Sequence, residues 1–570
     1  MKAKKFLALL LSLTSVTGSV LSATACGDDV VKDGKTINVM MCEAGYGTAW
    51  FEKVAEAYEE VFAEEGYKVN LVDSMNTFTG ATALAEMRLD YEDNGIDLFI
   101  TAGVYVDDVL DLNGEDYGVC VEDLNGVYSK PAIGFDGVEE EVAIKDLAGT
   151  QKFKKYLVNP ESPDDYYRFQ YFAAPTGLAV NERVLKEYGF NTLPYTTDEM
   201  FEMYSAIFNG ANGKGASDVE KIYPVTWAGG GAPGYPYNGF LSNLASLLGH
   251  DGYDDFFTLD HLDNEAGYAA DAGAKYYESI KNELIACYEV FAKTNDLRYS
   301  YPGSQGQDDH GISHSQVVQG KAAFMEDGSY FYNETKTHFA PELQDMRFIH
   351  KPTPSYLGVK LKLDGTGNDA AKCDEILSFL CKTYDEMTAD TEANEKAALK
   401  SATQAQFPGI TFTDEQINAV WEARGTVAMN LQSDVYICKD SPVKEQAELF
   451  LRMLASKDAA EMQQEYCMPH TYQPLEAQEH AYQWVTDSNK LGTRINYVLF
   501  YSFQEGMRIE MNCPIVKQGL IITDLSATQK WVEDITTRDY KAVATKFYQD
   551  TYDNLATNWT SLLKSAGRVK

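Results

Sequence analysis

Apolar and polar positions along the first hundred residues alternate between two rhythms. TINVMMCEAGYG (36–47) is a continuous apolar run that ends in small residues, the pattern of a buried strand running into a loop. TAWFEKVAEAYEEVFAEEG (48–66) repeats apolar side chains at helical spacing and closes on Gly66. YKVNLVDS (67–74) alternates with period two, a helical pattern runs from Gly80 to Tyr91, and IDLFITAG (96–103) is another apolar run. Strand, helix, strand, helix, strand at this spacing predicts a parallel α/β sheet. The same order returns after Tyr166, through RVLKEYG (183–189), TTDEMFEMYSAI (196–207) and KIYPVTWAGG (221–230). Two α/β lobes are predicted. Further on, a strand pattern over Lys321–Glu326 breaks at Asp327-Gly328-Ser329, and three aromatics, Tyr330-Phe331-Tyr332, follow at the start of a helical pattern.

Composition narrows the function. The chain has 570 residues, 45% of them hydrophobic, which suffices for two or more cores and excludes global disorder. Its 86 acidic residues outnumber 48 basic ones, for a net charge of −38. Nucleic acid and anionic membrane surfaces are therefore poor partners, because phosphate binding needs clustered Lys and Arg. Tyrosine is abundant, 37 against 6 Trp. The nine cysteines include no Cys-x-x-Cys pair, so neither a zinc ribbon nor a thioredoxin motif is present, and buried thiols are expected.

The first residues combine a basic start (MKAKK), a short apolar core (FLALLLSL) and a small-residue tail ending at Cys26. This is the pattern of an export signal. Its Ala-Thr-Ala-Cys end resembles the lipobox of bacterial lipoproteins, with Ala23 standing where that family usually has Leu. The resemblance implies a signal peptide over residues 1–25, lipidation at Cys26, a tether to residue 35, and anchoring on the outer face of the cytoplasmic membrane.

Four segments carry a second resemblance. YFAAPTGLAVNERVLKEYGFNTLPYTTDEMFEMYSAI (171–207) and VQGKAAFMEDGSYFYNE (318–334) are similar to two signatures of the extracellular solute-binding proteins of ATP-binding-cassette importers, of the carbohydrate type. VEDLNGVYSKP (121–131) and VYICKDSPVKEQAELFLRMLASKDAAEMQQEY (435–466) resemble two further segments, in the family's order. The resemblance implies a two-lobed periplasmic-binding-protein fold of type II, closing about a hinge. On that template lobe one comprises 36–174 and 352–466, with a helical insertion at about 359–431, and lobe two comprises 175–351 and 467–570. Pro175, Thr176 and Gly177 fall where that family's chain first crosses between lobes. A monomer that delivers sugar to a permease, with no cofactor and no catalysis, is the implied partner scheme.

Ligands of open α/β sheets sit beyond the carboxyl ends of strands, so the loops there are the expected contacts. They carry Tyr46, Trp50, Tyr105, Trp227, Tyr235, Tyr237 and Tyr330, with Glu43, Asn76, Thr176 and Asp327 among them. Flat rings beside carboxylates and amides suit a sugar, whose apolar faces stack while its hydroxyls need fixed donors and acceptors. Other motifs are weaker. Gly229–Gly234 satisfies G-x-G-x-x-G, but Pro233 and Pro236 remove amides that a pyrophosphate would need. Asp364–Glu375 echoes a calcium loop without its central Gly, and Thr366 with Asp369 reads equally as a helix cap. Asp308-Asp309-His310 with His314 is a sparse metal pattern for which a solvated loop is the simpler account. Ser-x-x-Lys occurs without Lys-Thr-Gly, and no Gly-x-Ser-x-Gly elbow is present. The alternative function is a secreted glycan hydrolase or surface glycan-binding scaffold, although no carboxylate pair stands out.

Overall fold

The computed structural model describes residues 30–467 with interruptions, the longest at 110–120, 211–220 and 259–271, together with 470–471, 507–508 and 539–565. The leader with Cys26 lies outside the described residues, as do Tyr46, Asn76 and Tyr105. The chain divides into two compact units, passing from the first to the second between Phe172 and Ala173 and back between Asn430 and Leu431.

The first unit opens on β1 (Thr36–Met41), buried along its whole length as its apolar run requires. α1 (Ala49–Val61) buries Trp50, Val54 and Tyr58, a stripe of four-residue spacing, and Phe51 beside it. β2 (Lys68–Ser74) and β3 (Leu98–Ala102) pair parallel with the two edges of β1, and α2 (Gly80–Met87) lies between them in sequence. β4 (Phe169–Gln170) is the last strand before the chain leaves this unit.

In the second unit β5 (Phe172–Asn181) ends at Asn181, whose side chain accepts the Val184 N–H and so caps α3 (Glu182–Glu187). α4 (Thr197–Phe208) begins with a full capping box between Thr196 and Glu199. β6 (Tyr223–Val225) is followed by α5 (Gly234–Thr258), which bends at Gly249. Then come α6 (Lys281–Thr294), α7 (His310–Val318), β7 (Ala322–Gly328), α8 (Phe331–Phe339) and β8 (Met346–Ile349). Three helices follow, α9 (Ala370–Glu386), α10 (Glu392–Gln406) and α11 (Asp414–Gly425), and β9 (Ala428–Asn430) closes this stretch. β7 pairs parallel with β6 and antiparallel with β5; β8 and β9 also run antiparallel to β5.

The chain returns to the first unit in β10 (Gln432–Ile437), antiparallel to both β3 and β4, giving the strand order β2-β1-β3-β10-β4. α12 (Lys444–Leu454) packs Phe450 edge-on against Phe51 and Tyr58. The last helix, α13 (Tyr540–Ser565), belongs to the second unit and buries Tyr548, Leu555 and Trp559 there.

Residues 352–430 depart from the expectation that placed them in lobe one. They belong to the second unit, where Ile376, Leu380 and Trp421 share one core with Leu178 and Phe324. The helical character of the insertion is as expected, but its apolar faces meet the β5–β7 core. Pro175–Gly177 is likewise not a loop. Pro175 pairs with Met429, Thr176 with Gly328 and Gly177 with Asp327, so the backbone here is held by strands on both sides. Gly177 is required at that point, because a Cβ would lie 2.6 Å from the Ile349 carbonyl oxygen.

Candidate functional site

The parallel strands β6 and β7 end on the same side of the second unit, and polar side chains converge there. Asp327 stands at the carboxyl end of β7, 1% exposed. The next helical turn supplies Tyr330 and Glu334, α7 supplies His310 and His314, and the first turn of α5 supplies Tyr235. His310 and His314 are four apart on a helix and therefore share a face. His314 Nε2 and Asp327 Oδ2 share a hydrogen bond of 2.6 Å, and Asp327 Oδ1 accepts the Gly328 N–H at 2.7 Å. His310 Nε2 lies 3.4 Å from the same Asp327 Oδ2, and Glu334 Oε2 lies 3.7 Å from His314 Nε2. Tyr235 stacks on the His310 ring at 4.6 Å, and its hydroxyl hydrogen-bonds that of Tyr330.

The electrostatics follow from this crowding. Burial works to raise Asp327, but His314 and His310 outweigh it and hold the carboxyl below its usual range. Burial works to lower His310, yet the Asp327 carboxylate 3.4 Å away pushes the imidazole above its ordinary value. Glu334 is pushed up by burial and by the Asp327 carboxylate, an effect that solvent tempers because 30% of its side chain is exposed. One buried carboxylate thus anchors two imidazoles, with a second carboxylate at the open edge.

The predicted ligand contacts separate under this description. Trp50 and Trp227 are expected on open loops, but the structure buries them at 0% and 4% exposure. Trp50 faces Phe51 in the first unit, and the Trp227 indole N–H donates to Ser300 Oγ at 2.9 Å within the second unit's core. Loop position identifies neither ring's environment: Trp50 already lies in the first turn of α1 on its buried face, and Trp227, just after β6, packs into the second unit's core. Thr176 is inside β5, and Tyr330 is 4% exposed beneath Tyr235. Asp327 faces the two histidines. Glu43 and Tyr235 remain half-buried, with Glu43 accepting a hydrogen bond from Ser74 Oγ. Only the backbone of Tyr237 is described. The cluster brings together Tyr235, Asp327 and Tyr330 of the predicted set and adds His310, His314 and Glu334. The His-x-x-x-His spacing is visible in the sequence; its closure by Asp327 and Glu334 is not, because they come from the next strand and helix.

The weaker motifs also resolve. The Gly229 amide donates to the Ser304 carbonyl, and the Gly230 and Gly231 amides donate to the Gln307 carbonyl, so these three are not free for a pyrophosphate. Asp364 accepts the Thr366 and Asp369 amides, Asp369 caps α9, and Glu375 pairs with Lys372 at 2.7 Å, away from the would-be calcium loop. Asp309 caps α7, so residues 310–318 are helix where a solvated loop is the sequence expectation. The five cysteines with described side chains (Cys42, Cys287, Cys373, Cys381 and Cys438) are free and buried. Among the described residues no helix is long and apolar enough to cross a membrane.

No protein-family model matches the chain, and no curated protein does. Among solved structures it is similar to the GacH receptor of Streptomyces glaucescens, solved unliganded and with acarbose, at TM-score 0.49 and 12% identity over 93% of this chain and 98% of that one. It is similar to a chitin oligosaccharide binding protein at TM-score 0.48 and 12% identity, over 91% and 98% of the two chains. The substrate-binding protein Lmo0181 from Listeria monocytogenes, in complex with cycloalternan, gives TM-score 0.47 and 11% identity over 94% and 99%.

Proposed function

We propose that this chain is an extracellular receptor that captures a carbohydrate, an oligosaccharide in preference to a single sugar, and delivers it to an ATP-binding-cassette permease. The observation that carries the reading is where two sequence signatures fall. Residues 171–207 and 318–334 lie far apart in the chain, yet their strands β5 and β7 pair directly, Val180 with Phe324 through Thr176 with Gly328. Segments that resemble one family in sequence thus form one structural unit, ending in loops where α/β proteins bind ligands. Lipidation at Cys26 fits the same role, keeping a receptor beside its permease; a Cys26→Ser chain should then appear in the medium. Each unit offers candidate contacts of its own, the half-buried Glu43 in the first and Tyr235 in the second, and the sequence adds Tyr46, Asn76, Tyr105 and Tyr237. Sugar faces stacked on such rings bury roughly 50–100 Å² each, about 1–2.5 kcal/mol per ring. The exported protein is expected to bind without catalysis.

A thermal melt against a panel of glycans tests the proposal. A ligand at 100 times its Kd stabilises by about 2.7 kcal/mol, a shift of several degrees. The proposal fails if only amino acids, peptides or ions raise the melting temperature. Shortened glycans after long incubation, seen by mass spectrometry, would make the protein a hydrolase instead.

A further inference from the structure

We infer that His310, His314, Asp327 and Glu334 form a site for a divalent transition-metal ion, zinc by first preference, which ties the end of β7 to α7 and α8. One ligand atom from each of the four side chains lies within 4.8 Å of all the others. The set is mixed, two imidazoles and two carboxylates, and is drawn from three successive elements. Its two carboxylates balance the charge of a divalent ion. Imidazole donors select zinc and its neighbours over calcium and magnesium, which prefer oxygen-only shells.

The distances suit a tetrahedral centre. Ligand bonds of about 2.0–2.2 Å place neighbouring ligand atoms roughly 3.3–3.6 Å apart. His310 Nε2 to Asp327 Oδ2 is 3.4 Å and His314 Nε2 to Glu334 Oε2 is 3.7 Å. The His314–Asp327 contact of 2.6 Å, between two buried side chains, has to open by about 1 Å when the ion enters. A simple His–Asp hydrogen bond would explain His314 alone. It does not explain His310, whose two ring nitrogens are sealed from solvent and make no hydrogen bond. The imidazole has given up its water for an ion-pair contact of 3.4 Å with Asp327 and no hydrogen bond, and a metal bond at Nε2 supplies the missing partner. Asp327 is further oriented for ligation by the Gly328 amide on its other oxygen. Tyr235, stacked on His310 and hydrogen-bonded to Tyr330, would be held in place by the occupied site.

The test uses the full exported chain, stripped by a chelator and dialysed against zinc with millimolar magnesium and calcium present to occupy scattered carboxylates. One zinc per chain is expected, and cobalt in its place should give the visible absorption of a four-coordinate N/O site. His310→Ala and Glu334→Gln should each weaken zinc binding at least about tenfold. Glu334→Gln keeps the side chain's shape at the open edge, so it tests the site even where His310→Ala disturbs the fold. No stoichiometric uptake overturns the inference. So does uptake unchanged by both substitutions, or a cobalt–thiolate band that would assign the ion to cysteines.

Discussion

Trp227 joins two facts that the sequence keeps apart: it follows a strand, as a ligand-binding ring would, and it is packed into the core of the second unit. Its indole N–H is satisfied by Ser300, so nothing in its polar chemistry calls for an external partner. Trp227→Ala is therefore expected to lower unliganded stability by about 3–5 kcal/mol, through lost burial and the cavity left behind. Urea denaturation without ligand measures this. An unchanged midpoint together with lost glycan affinity would return Trp227 to the binding surface. Ring type and loop position were legible in the sequence, whereas burial was not, because burial depends on which distant helix covers the loop. The histidine pair has the same limit: its helical spacing shows along the chain, but Asp327 becomes its neighbour only once β7 is laid beside α7.

At the scale of elements, the periodic patterns gave most of the first unit. β1, α1, β2 and β3 fall where apolar runs, helical spacing and alternation predict them, since each of these patterns is local. The insertion shows where locality ends. Its helices α9, α10 and α11 were foreseeable as helices, but a 3.6-residue apolar stripe does not name the core it will meet. α5 was hidden by Gly and Pro at its start, where Pro236 is tolerated because first-turn amides have no intrahelical acceptor. One junction between elements carries a pH prediction. Asp374 on α9 accepts a hydrogen bond from Thr196, the N-cap of α4, at 3.1 Å. Burial, with Asp198 and Glu199 nearby, raises its pKa to about 6 from the usual 3.8. The folded protein then holds this proton more tightly than the unfolded chain. The group's contribution to stability is full below about 4 and is lost as pH rises through 6. Asp374→Asn keeps a neutral acceptor for Thr196, so melts should show the variant more stable than the parent above pH 6 and no more stable near pH 4. A gain that is equal at both pH values would place the effect elsewhere.

At the scale of the whole chain, the two units have separate apolar cores, and the connections at 172/173 and 430/431 run almost directly from strand to strand. The first unit is pinned near those connections by a buried ion pair. Arg168 donates to Asp434 Oδ1 through Nε at 2.7 Å, and Asp434 Oδ2 accepts the Gly103 amide at 3.0 Å. This single carboxylate therefore joins the segment before β4, β10 itself and the loop after β3. Both charged side chains are 0% exposed, so removing the acid leaves a buried guanidinium without its counter-ion. Asp434→Ala should cost about 3–5 kcal/mol for that reason, more than the loss of an exposed pair would. The damage is expected in the first unit, where both Arg168 and Gly103 lie. Calorimetry of the variant should show the transition of the first unit moved down by several degrees. The second unit's transition should stay in place, followed independently by its response to Trp227→Ala. If both transitions fall together in Asp434→Ala, the short strand-to-strand connections make the units unfold as one, and separate cores do not imply separate stability.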